Sequence, residues 1–397
     1  MNVLFLTLLE FNSIEDRTIY TDLMREFRNN GHMVYIISPI ERRHREETHI
    51  VEENHSKILK LKIGNIQKTN IVEKGITTLR IEPVFIKAIK RYFSDVKFDL
   101  VLYSTPPITF CNAIEYVKKR DNARTYLLLK DIFPQNSIDI GLLSKSGVKG
   151  ILYRHFRKKE KKLYVISDRI GCMSPANVRY VLEHNPEVSA DKVEVCPNSV
   201  DPIDRSCTPE ERRGIRVKYQ LPLNKKIFVY GGNLGKPQGV PFLMECLKKQ
   251  HFDDVFFLIV GNGTEYSKLK QFMDNEAPGN VMLLQSLPKE DYDKMIGSCD
   301  VGMIFLDYRF TIPNFPSRLL SYMQAKLPVL CVTDPNTDIG TIAEENEFGN
   351  QCYSNDVGGF IKTVGKINAD LTKMGQNGYD FLLRDYTVEK AYHIIMK

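Results

Sequence analysis

The chain has 397 residues, which is too long for one hydrophobic core and favours two domains of about 200 residues each. Hydrophobic residues make up 43% of the sequence and charged residues 26%, a composition that excludes a disordered chain. No apolar run is long enough to predict a transmembrane helix. The net charge of +6 is concentrated in clusters without interleaved aromatic residues, which argues against a nucleic-acid-binding surface.

The first segment, Met1 to Leu9, is apolar but has neither a basic start nor a small-residue cleavage site. It predicts a first buried strand rather than a signal peptide. The eight cysteines occur without C-x-x-C spacing, which favours reduced thiols in the cytoplasm over a metal site or a disulfide framework.

Strand and helix patterns alternate twice along the chain. In the first half a helix is predicted over 18–29, and strands are predicted at Val3–Leu8, Met33–Ser38, Leu100–Ser104, Thr125–Leu129 and Arg169–Met173. In the second half strands are predicted at 226–231, 255–260, 281–284, 301–306 and 329–333. The sequence therefore predicts an α/β protein with two Rossmann-like, doubly wound domains facing each other across a cleft. We expect an N-terminal domain over 1–200, a second domain over 201–380, and a C-terminal helix within 381–397 that can cross back to the first domain.

The segment from Gly150 to Tyr164 carries a dense group of cations, among them Arg154, Arg157, Lys158, Lys161 and Lys162. On a helix, Leu152, Phe156 and Leu163 fall near one stripe, which favours a helix lying on an anionic membrane surface. The alternative is a solvated helix packed on its own domain.

Two glycine-rich turns follow strands of the second half. The first contains Gly232, Asn233, Gly235 and Lys236, and there the backbone can approach a phosphate while the lysine neutralises it. The second contains Gly261 and Gly263, which are equally compatible with a structural turn.

A helix start is predicted at Ser317, after Pro316 and directly before Arg318. Free backbone N–H groups, the positive end of the helix dipole and the guanidinium fork together favour a diphosphate. The alternative is an ordinary capped helix.

Taken in chain order, these segments resemble the retaining GT-B glycosyltransferases of family 4. Val195 to Asp201 resembles the family's Ile-Pro-Asn-Gly-Val-Asp crossover, and Tyr230 to Gly239 resembles its phosphate loop. Pro316 to Arg318 and Tyr322 to Val329 resemble the Pro-Ser-Lys and Tyr-Met-Ala-Ala-Gly-Lys-Pro-Val pattern of the branch that assembles O-antigens and capsules. Ser104 to Pro107 and Asp131 to Asn136 resemble that branch's Ser-Pro-Pro and Asp-Leu-Trp-Pro-Glu-Ser elements.

The resemblance implies a hexosyltransferase that needs neither metal nor cofactor. Its donor would be a UDP-sugar, with an N-acetylated amino sugar or a deoxy sugar favoured, and its acceptor a saccharide linked to undecaprenyl diphosphate. The enzyme would then act in the cytoplasm, on the inner face of the membrane, in surface polysaccharide synthesis. The residues that match are Lys236, Arg318 and Asp131 for catalysis; Gly232, Asn233, Gly235, Gly261, Gly263, Leu287, Pro316, Ser317 and Ser321 for the donor; and Asn12, Ser13, Arg17, Ser104 and Thr105 for the acceptor.

Two departures from the family pattern bear on these roles. The family's Glu-x7-Glu would fall at Pro313 and Ser321, so the glutamate that grips the ribose is missing, and Ser321 or Glu265 is left as its substitute. The first loop lacks the Gly-Gly pair of many relatives, which favours acceptor binding there. Asp131 can orient the acceptor hydroxyl or can simply cap a turn.

Three other functions stay open at this point. A GT-B nucleotide-sugar epimerase would share the fold and the phosphate grip, but it needs acid and base groups that the missing glutamates disfavour. A non-catalytic GT-B partner subunit is compatible with the same departures. An NAD-dependent oxidoreductase is disfavoured because no G-x-G-x-x-G follows the first strand.

Overall fold

The protein is described by a computed structural model at residues 1–66, 71–367 and 370–397. Contacts divide the chain into two units. Unit 1 comprises Met1–Asp201 and Val388–Lys397, and unit 2 comprises Pro202–Thr387.

Unit 1 contains an eight-stranded sheet with the strand order β3-β4-β2-β1-β5-β6-β7-β8. Its strands are β1 (Asn2–Leu6), β2 (Met33–Glu41), β3 (His49–Glu53), β4 (Ser56–Ile63), β5 (Leu100–Ser104), β6 (Arg124–Leu129), β7 (Arg169–Cys172) and β8 (Val193–Val195). Its helices up to the division are α1 (Ile19–Asn29), α2 (Ile71–Tyr92), α3 (Cys111–Asp121), α4 (Gln135–Asp139), α5 (Gly147–Ile166) and α6 (Pro175–His184). Apart from the β3–β4 hairpin, neighbouring strands run parallel, so the carboxyl ends of β1, β5, β6 and β7 lie at one edge.

Unit 2 contains a six-stranded sheet with the order β11-β10-β9-β12-β13-β14, in which every neighbouring pair is parallel. Its strands are β9 (Lys226–Asn233), β10 (Val255–Asn262), β11 (Val281–Leu284), β12 (Val301–Phe305), β13 (Val329–Thr333) and β14 (Gly349–Tyr353). Its helices are α7 (Pro209–Lys218), α8 (Val240–Lys249), α9 (Tyr266–Asn275), α10 (Lys289–Gly297), α11 (Arg318–Gln324), α12 (Ile339–Glu345), α13 (Val357–Lys366) and α14 (Leu371–Asp385).

Both faces of the central strands are buried, as expected for parallel sheets covered by helices. In β1, Leu4 and Leu6 pack into one core of unit 1, while Val3 and Phe5 pack into the core on the opposite face. This accounts for the unbroken apolar runs from which the strands were predicted, and it confirms the prediction of two Rossmann-like α/β domains.

The last helix, α15 (Val388–Met396), packs against α1 of unit 1. The Tyr392 ring lies 5.0 Å from that of Phe27, and its hydroxyl is 2.9 Å from His32 Nε2. The expected boundary at 380 falls inside α14, whose Phe381 packs on Phe348 with ring centroids 5.3 Å apart. Residues 381–387 therefore belong to unit 2. Of the segment 381–397, only Val388–Lys397, which contains α15, belongs to unit 1.

None of the helices in the described ranges is both long enough and apolar enough to cross a membrane.

Candidate functional site

Arg318 is the first residue of α11, and its guanidinium lies on the face of the Tyr230 ring, 4.4 Å from the ring centroid. Its Nη1 atom is buried and has no hydrogen-bond partner among the described residues. The groups that act electrostatically on the guanidinium are the hydroxyls of Tyr230, Tyr322 and Tyr292. A buried cation without a counter-charge is costly, so this arrangement suits an anionic ligand.

Gly231 and Gly232 lie near the end of β9, and Gly232 is beside this guanidinium. A Cβ atom at Gly232 would lie 3.6 Å from Arg318 Nη2, and φ there is +120°, a conformation that favours glycine. A Cβ atom at Gly231 would collide with the Tyr292 hydroxyl. Gly231 therefore allows Tyr292 to approach the strand closely, whereas the backbone conformation at Gly232 is what favours glycine beside Arg318.

The second glycine turn has a packing explanation. β9 and β10 pair as far as Asn233 and Asn262, so the expected turn at Gly261 is still strand. A Cβ atom at Gly261 would collide with the Gly232 carbonyl oxygen, and one at Gly263 would lie too close to the Leu234 carbonyl oxygen. The packing of two strand ends thus accounts for both glycines without a ligand.

The turn from Asn233 to Gln238 is fixed by its own hydrogen bonds. The Tyr230 hydroxyl donates to the Asn233 carbonyl oxygen (2.7 Å), and Gln238 Oε1 accepts from the Gly235 amide (3.1 Å). Lys236 is exposed at the tip of this turn, and in the described part of the chain its ammonium makes no ion pair. It is therefore available to a ligand at the turn.

The segment around α11 differs from the sequence-based expectation. Ser317 precedes the helix in a helical conformation and its hydroxyl makes no capping bond, and α11 has only seven residues. We therefore assign the anion site to the Arg318 side chain rather than to the helix start. Pro316 and Ser321 are half-buried, as is Leu287 in the loop after β11.

Glu265 contacts the turn from Asn233 to Gln238, which we call the phosphate turn after the family's phosphate loop that this segment resembles. It is buried, its amide donates to the Leu234 carbonyl oxygen (2.9 Å), and its carboxylate pairs with the Lys268 ammonium (2.7 Å). Its carboxylate is thus already engaged within unit 2, whereas Ser321 shares one side of α11 with Arg318, three residues earlier.

In unit 1, Asp131 follows β6 and lies in a loop held by other side chains. Asn136 Nδ2 donates to both carboxylate oxygens (2.9 Å each), and burial raises the pKa of Asp131 to about 6. Thr105 Oγ1 donates to the Asp131 carbonyl oxygen (3.0 Å) and is itself buried, as is Ser104. Thr105 therefore positions the Asp131 loop, and its expected contact with the acceptor stays a prediction.

The first loop is organised by an aspartate and a lysine that the sequence analysis did not single out. Asp16 Oδ2 accepts from the amides of Asn12 (3.1 Å) and Ser13 (3.2 Å). The buried Lys60 ammonium donates to Asn12 Oδ1 (2.9 Å). The Asn12 side chain nevertheless stays exposed, so it is open to a ligand.

Two further cations of unit 1 have distinct surroundings. Arg17 forms an ion pair with Asp201 in which both side chains stay 47% exposed, and its expected contact with the acceptor stays a prediction. Lys130 directly follows β6, and burial lowers the pKa of its ammonium to about 8. Its position directly after an apolar strand and before Asp131 is the feature of the sequence from which Lys130 could have been identified.

The residues of the apolar stripe expected on α5 do not share one exposed face. Leu163 is fully buried in unit 1, and Phe156 packs on Phe133 with ring centroids 5.1 Å apart. Most of the exposed apolar residues of α5 lie on its first turns: Val148 is 85% exposed, Ile151 62% and Leu152 44%. Val165, which is 58% exposed, lies in the last turn.

Three of the five expected membrane-binding cations are engaged by carboxylates. Their partners are Glu160 for Arg157 (2.7 Å), Glu187 for Lys161 (2.9 Å) and Glu115 for Lys162 (2.8 Å). Arg154 and Lys158 remain exposed, together with Lys145 and Lys149 near the start of α5. Exposed cations and exposed apolar residues thus occur together around the first half of the helix, with Lys145 just before its start and Lys158 just beyond its middle.

The described residues contain no group of three or more His, Cys, Asp and Glu side chains placed to hold a metal ion.

Comparison with known proteins adds two family matches and several relatives. Residues 211–380 match "Glycosyl transferases group 1", and residues 18–203 match "Glycosyltransferase Family 4". The probable glycosyltransferase WbjE of Pseudomonas aeruginosa is 22% identical over 82% of this chain and 80% of its own length. The putative colanic acid biosynthesis glycosyl transferase WcaI of Escherichia coli is 22% identical over 62% of this chain and 60% of its own. Among solved structures, HepE of Anabaena in complex with UDP-glucose has a TM-score of 0.71 at 13% identity, covering 100% of this chain and 98% of that one, which shows the GT-B fold.

Because burial raises the pKa of Asp131, we predict that its contribution to the stability of the folded protein falls as the pH rises and this carboxyl ionises. The unfolded carboxyl loses its proton near pH 4, whereas the folded one keeps it up to about pH 6. The contribution of Asp131 to stability is therefore fully present below pH 4 and is lost as the pH rises through 6. Asp131→Asn cannot ionise, so its melting temperature minus that of the wild type should be constant below pH 4, rise between pH 4 and 6, and level off above. A difference that is flat from pH 3.5 to 7.5 would contradict the burial of this carboxylate.

Proposed function

Because the chain belongs to the group 1/family 4 glycosyltransferases, we propose that it transfers a sugar from a UDP-sugar to a lipid-linked saccharide with retention of the anomeric configuration. The single observation that carries the donor assignment is the buried Arg318 guanidinium, which has no carboxylate partner in the described part of the chain and lies beside Gly232. A diphosphate supplies the missing counter-charge.

In the proposed reaction the bond between the anomeric carbon and the β-phosphate oxygen breaks as the acceptor hydroxyl oxygen bonds to the same face of that carbon. The acceptor proton passes to the departing phosphate oxygen, so UDP leaves and atoms balance. Arg318 and Lys236 stabilise the negative charge that grows on the diphosphate. Fixed cations thereby perform the charge stabilisation, and no metal step is needed in this scheme.

Ser321 is our candidate for the ribose contact that the missing family glutamate would make. It lies on the same side of α11 as Arg318 and is half-buried, whereas the Glu265 carboxylate is already paired with Lys268. A hydroxyl in this place can donate to or accept from a ribose hydroxyl.

UDP is the proposed nucleotide because HepE, which shares the fold, is solved with UDP-glucose. A role in surface polysaccharide synthesis is supported by the name of WcaI, a putative colanic acid biosynthesis enzyme. We propose an N-acetylated amino or deoxy sugar as the transferred group, since the O-antigen and capsule branch that the sequence resembles favours them. Asn12, Ser13 and Asp131 of unit 1 are the proposed contacts of the acceptor, a saccharide on undecaprenyl diphosphate.

Removing either proposed cation should slow transfer with little effect on folding. We expect Arg318→Ala and Lys236→Ala each to lower turnover at saturating donor by about 100-fold, comparable to the loss of one oxyanion donor. The matched control is Arg384→Ala, because Arg384 also stacks on a ring, that of Phe381 at 4.7 Å, but is unrelated to the phosphate turn. Turnover should also persist in EDTA.

Wild-type turnover in both variants would contradict the phosphate assignment. Conversion of a UDP-sugar in the absence of any acceptor would indicate an epimerase instead.

We also propose that unit 1 docks on the anionic cytoplasmic leaflet, where a lipid-linked acceptor resides. Val148, Ile151 and Leu152 are three and four residues apart, so they share one face of α5. The exposed cations Lys145, Lys149, Arg154 and Lys158 surround this apolar face and complement anionic headgroups. The proposed contact is thus the first half of α5 rather than the helix as a whole.

The chain contains no tryptophan, so a single introduced indole reports its own environment. We expect Ile151→Trp to shift its emission to the blue, and to be quenched by brominated lipids, when phosphatidylglycerol vesicles are added at low salt. Val217→Trp is the control, since Val217 is 61% exposed on α7 of unit 2 and should keep its emission. Unchanged emission of Ile151→Trp with these vesicles would contradict docking through this face.

A further inference from the structure

Three tyrosines from different elements of unit 2 surround the Arg318 guanidinium: Tyr230 on β9, Tyr292 on α10 and Tyr322 on α11. We call these three rings the aromatic seat. Tyr230 lies under the guanidinium at 4.4 Å, so it is the ring in direct stacking contact.

The aromatic seat is built into the sheet. The Tyr322 hydroxyl accepts from the Gly231 amide (3.2 Å) and donates to the Met303 carbonyl oxygen (3.1 Å). A Cβ atom at Gly302 would collide with the Tyr322 ring. The rings are therefore held by strand backbone and by glycines that leave them room, which fixes the site of the guanidinium before any ligand binds.

Two buried arginines, Arg216 and Arg25, have carboxylate partners, unlike Arg318. Arg216 is bound by Asp300 (2.7 Å) and by the Ser298 carbonyl oxygen (2.9 Å), and Arg25 is bound by Asp22. Both are thereby neutralised by a carboxylate. Arg318 has rings where they have carboxylates.

From this contrast we propose that Tyr230 is a positioning residue that holds the Arg318 guanidinium by its ring, so that its whole positive charge is available to the donor diphosphate. The inference rests on the proposed function, because it assumes that the ligand of Arg318 is a diphosphate. A ring attracts a cation through its quadrupole without carrying a net charge. A carboxylate in the same place would compete with the diphosphate, and the ion pair would have to break on binding.

Three variants separate the ring from its hydroxyl and from general effects of substitution. Tyr230→Leu removes the ring, while Tyr230→Phe keeps it and loses the hydroxyl, with its bond to Asn233 and its own interaction with the Arg318 guanidinium. Tyr219→Leu is the matched control, because Tyr219 also stacks under a cation, the Lys218 ammonium at 5.0 Å, and is not one of the three tyrosines around Arg318. Calorimetry would measure the affinity of each variant for UDP, inorganic pyrophosphate and uridine.

We expect Tyr230→Leu to weaken UDP and pyrophosphate by about ten-fold and to leave uridine unchanged, since only the phosphates contact the guanidinium. Tyr230→Phe should stay within about two-fold of the wild type, and Tyr219→Leu should match it. If Tyr230→Leu fails to fold, Arg318→Lys takes its place: it keeps the charge but loses planar stacking, and it should also weaken UDP by about ten-fold.

Wild-type affinity of Tyr230→Leu for pyrophosphate, or of Arg318→Lys for UDP, overturns the proposal. Equal losses in Tyr230→Phe and Tyr230→Leu also overturn it, because they would assign the effect to the hydroxyl and the turn. A wild-type protein that binds neither UDP nor pyrophosphate contradicts the proposed function itself. In contrast, tight wild-type binding that is lost in Arg318→Ala but kept in Tyr230→Leu removes only the role of the ring.

Discussion

The stacking of the Arg318 guanidinium on Tyr230 is the interaction on which the architecture of unit 2 around the site depends. Burying an unpaired charge is unfavourable, and a ring returns only about 0.5–2 kcal/mol. Two glycines near the strand end accommodate this site: Gly231 leaves room for the Tyr292 hydroxyl, and Gly232 adopts a positive φ beside the guanidinium. An anion bound here would supply the negative charge that the Arg318 guanidinium lacks. Because the fold already holds the guanidinium in place, little reorganisation is needed on binding.

Unit 1 presents a different electrostatic arrangement at the carboxyl edge of its sheet. Asp131 and Lys130 are neighbours in sequence, and burial shifts both toward their neutral forms, raising the pKa of one and lowering that of the other. Desolvation thus disfavours the charged forms of both groups in this loop, whereas the pKa of the Arg318 guanidinium is raised and its charged form is favoured. The proposed division of labour, with the diphosphate on unit 2 and the acceptor on unit 1, is consistent with this difference.

Most of the fold could be predicted from the sequence because strands buried on both faces of a parallel sheet are apolar at nearly every position. The bounds of β5, β11 and β13 agree with the predicted ones. The β3–β4 hairpin was missed because Lys57, Lys60 and Lys62 interrupt the apolar pattern of β4. The ammonium of Lys60 is buried in the structure, and only its contacts with the first loop explain how a strand can contain it.

The candidate site was predictable in part. Arg318 and the glycine pair stand in recognisable local patterns, but the ring beneath Arg318 comes from a distant strand, and only folding brings the two together. The stripe on α5 failed for a related reason. Helical periodicity identifies which residues share a face, but it does not show whether that face packs against the domain or is exposed to solvent. Leu163 packs into the core of unit 1.

The most direct test of the account is a crystal structure of the chain soaked with UDP. The account predicts diphosphate oxygens within hydrogen-bonding distance of Arg318 Nη1 or Nη2, close to Gly232 and the Lys236 ammonium, with Tyr230 still stacked beneath the guanidinium. UDP bound elsewhere on the chain, with Arg318 still lacking a partner, would contradict it.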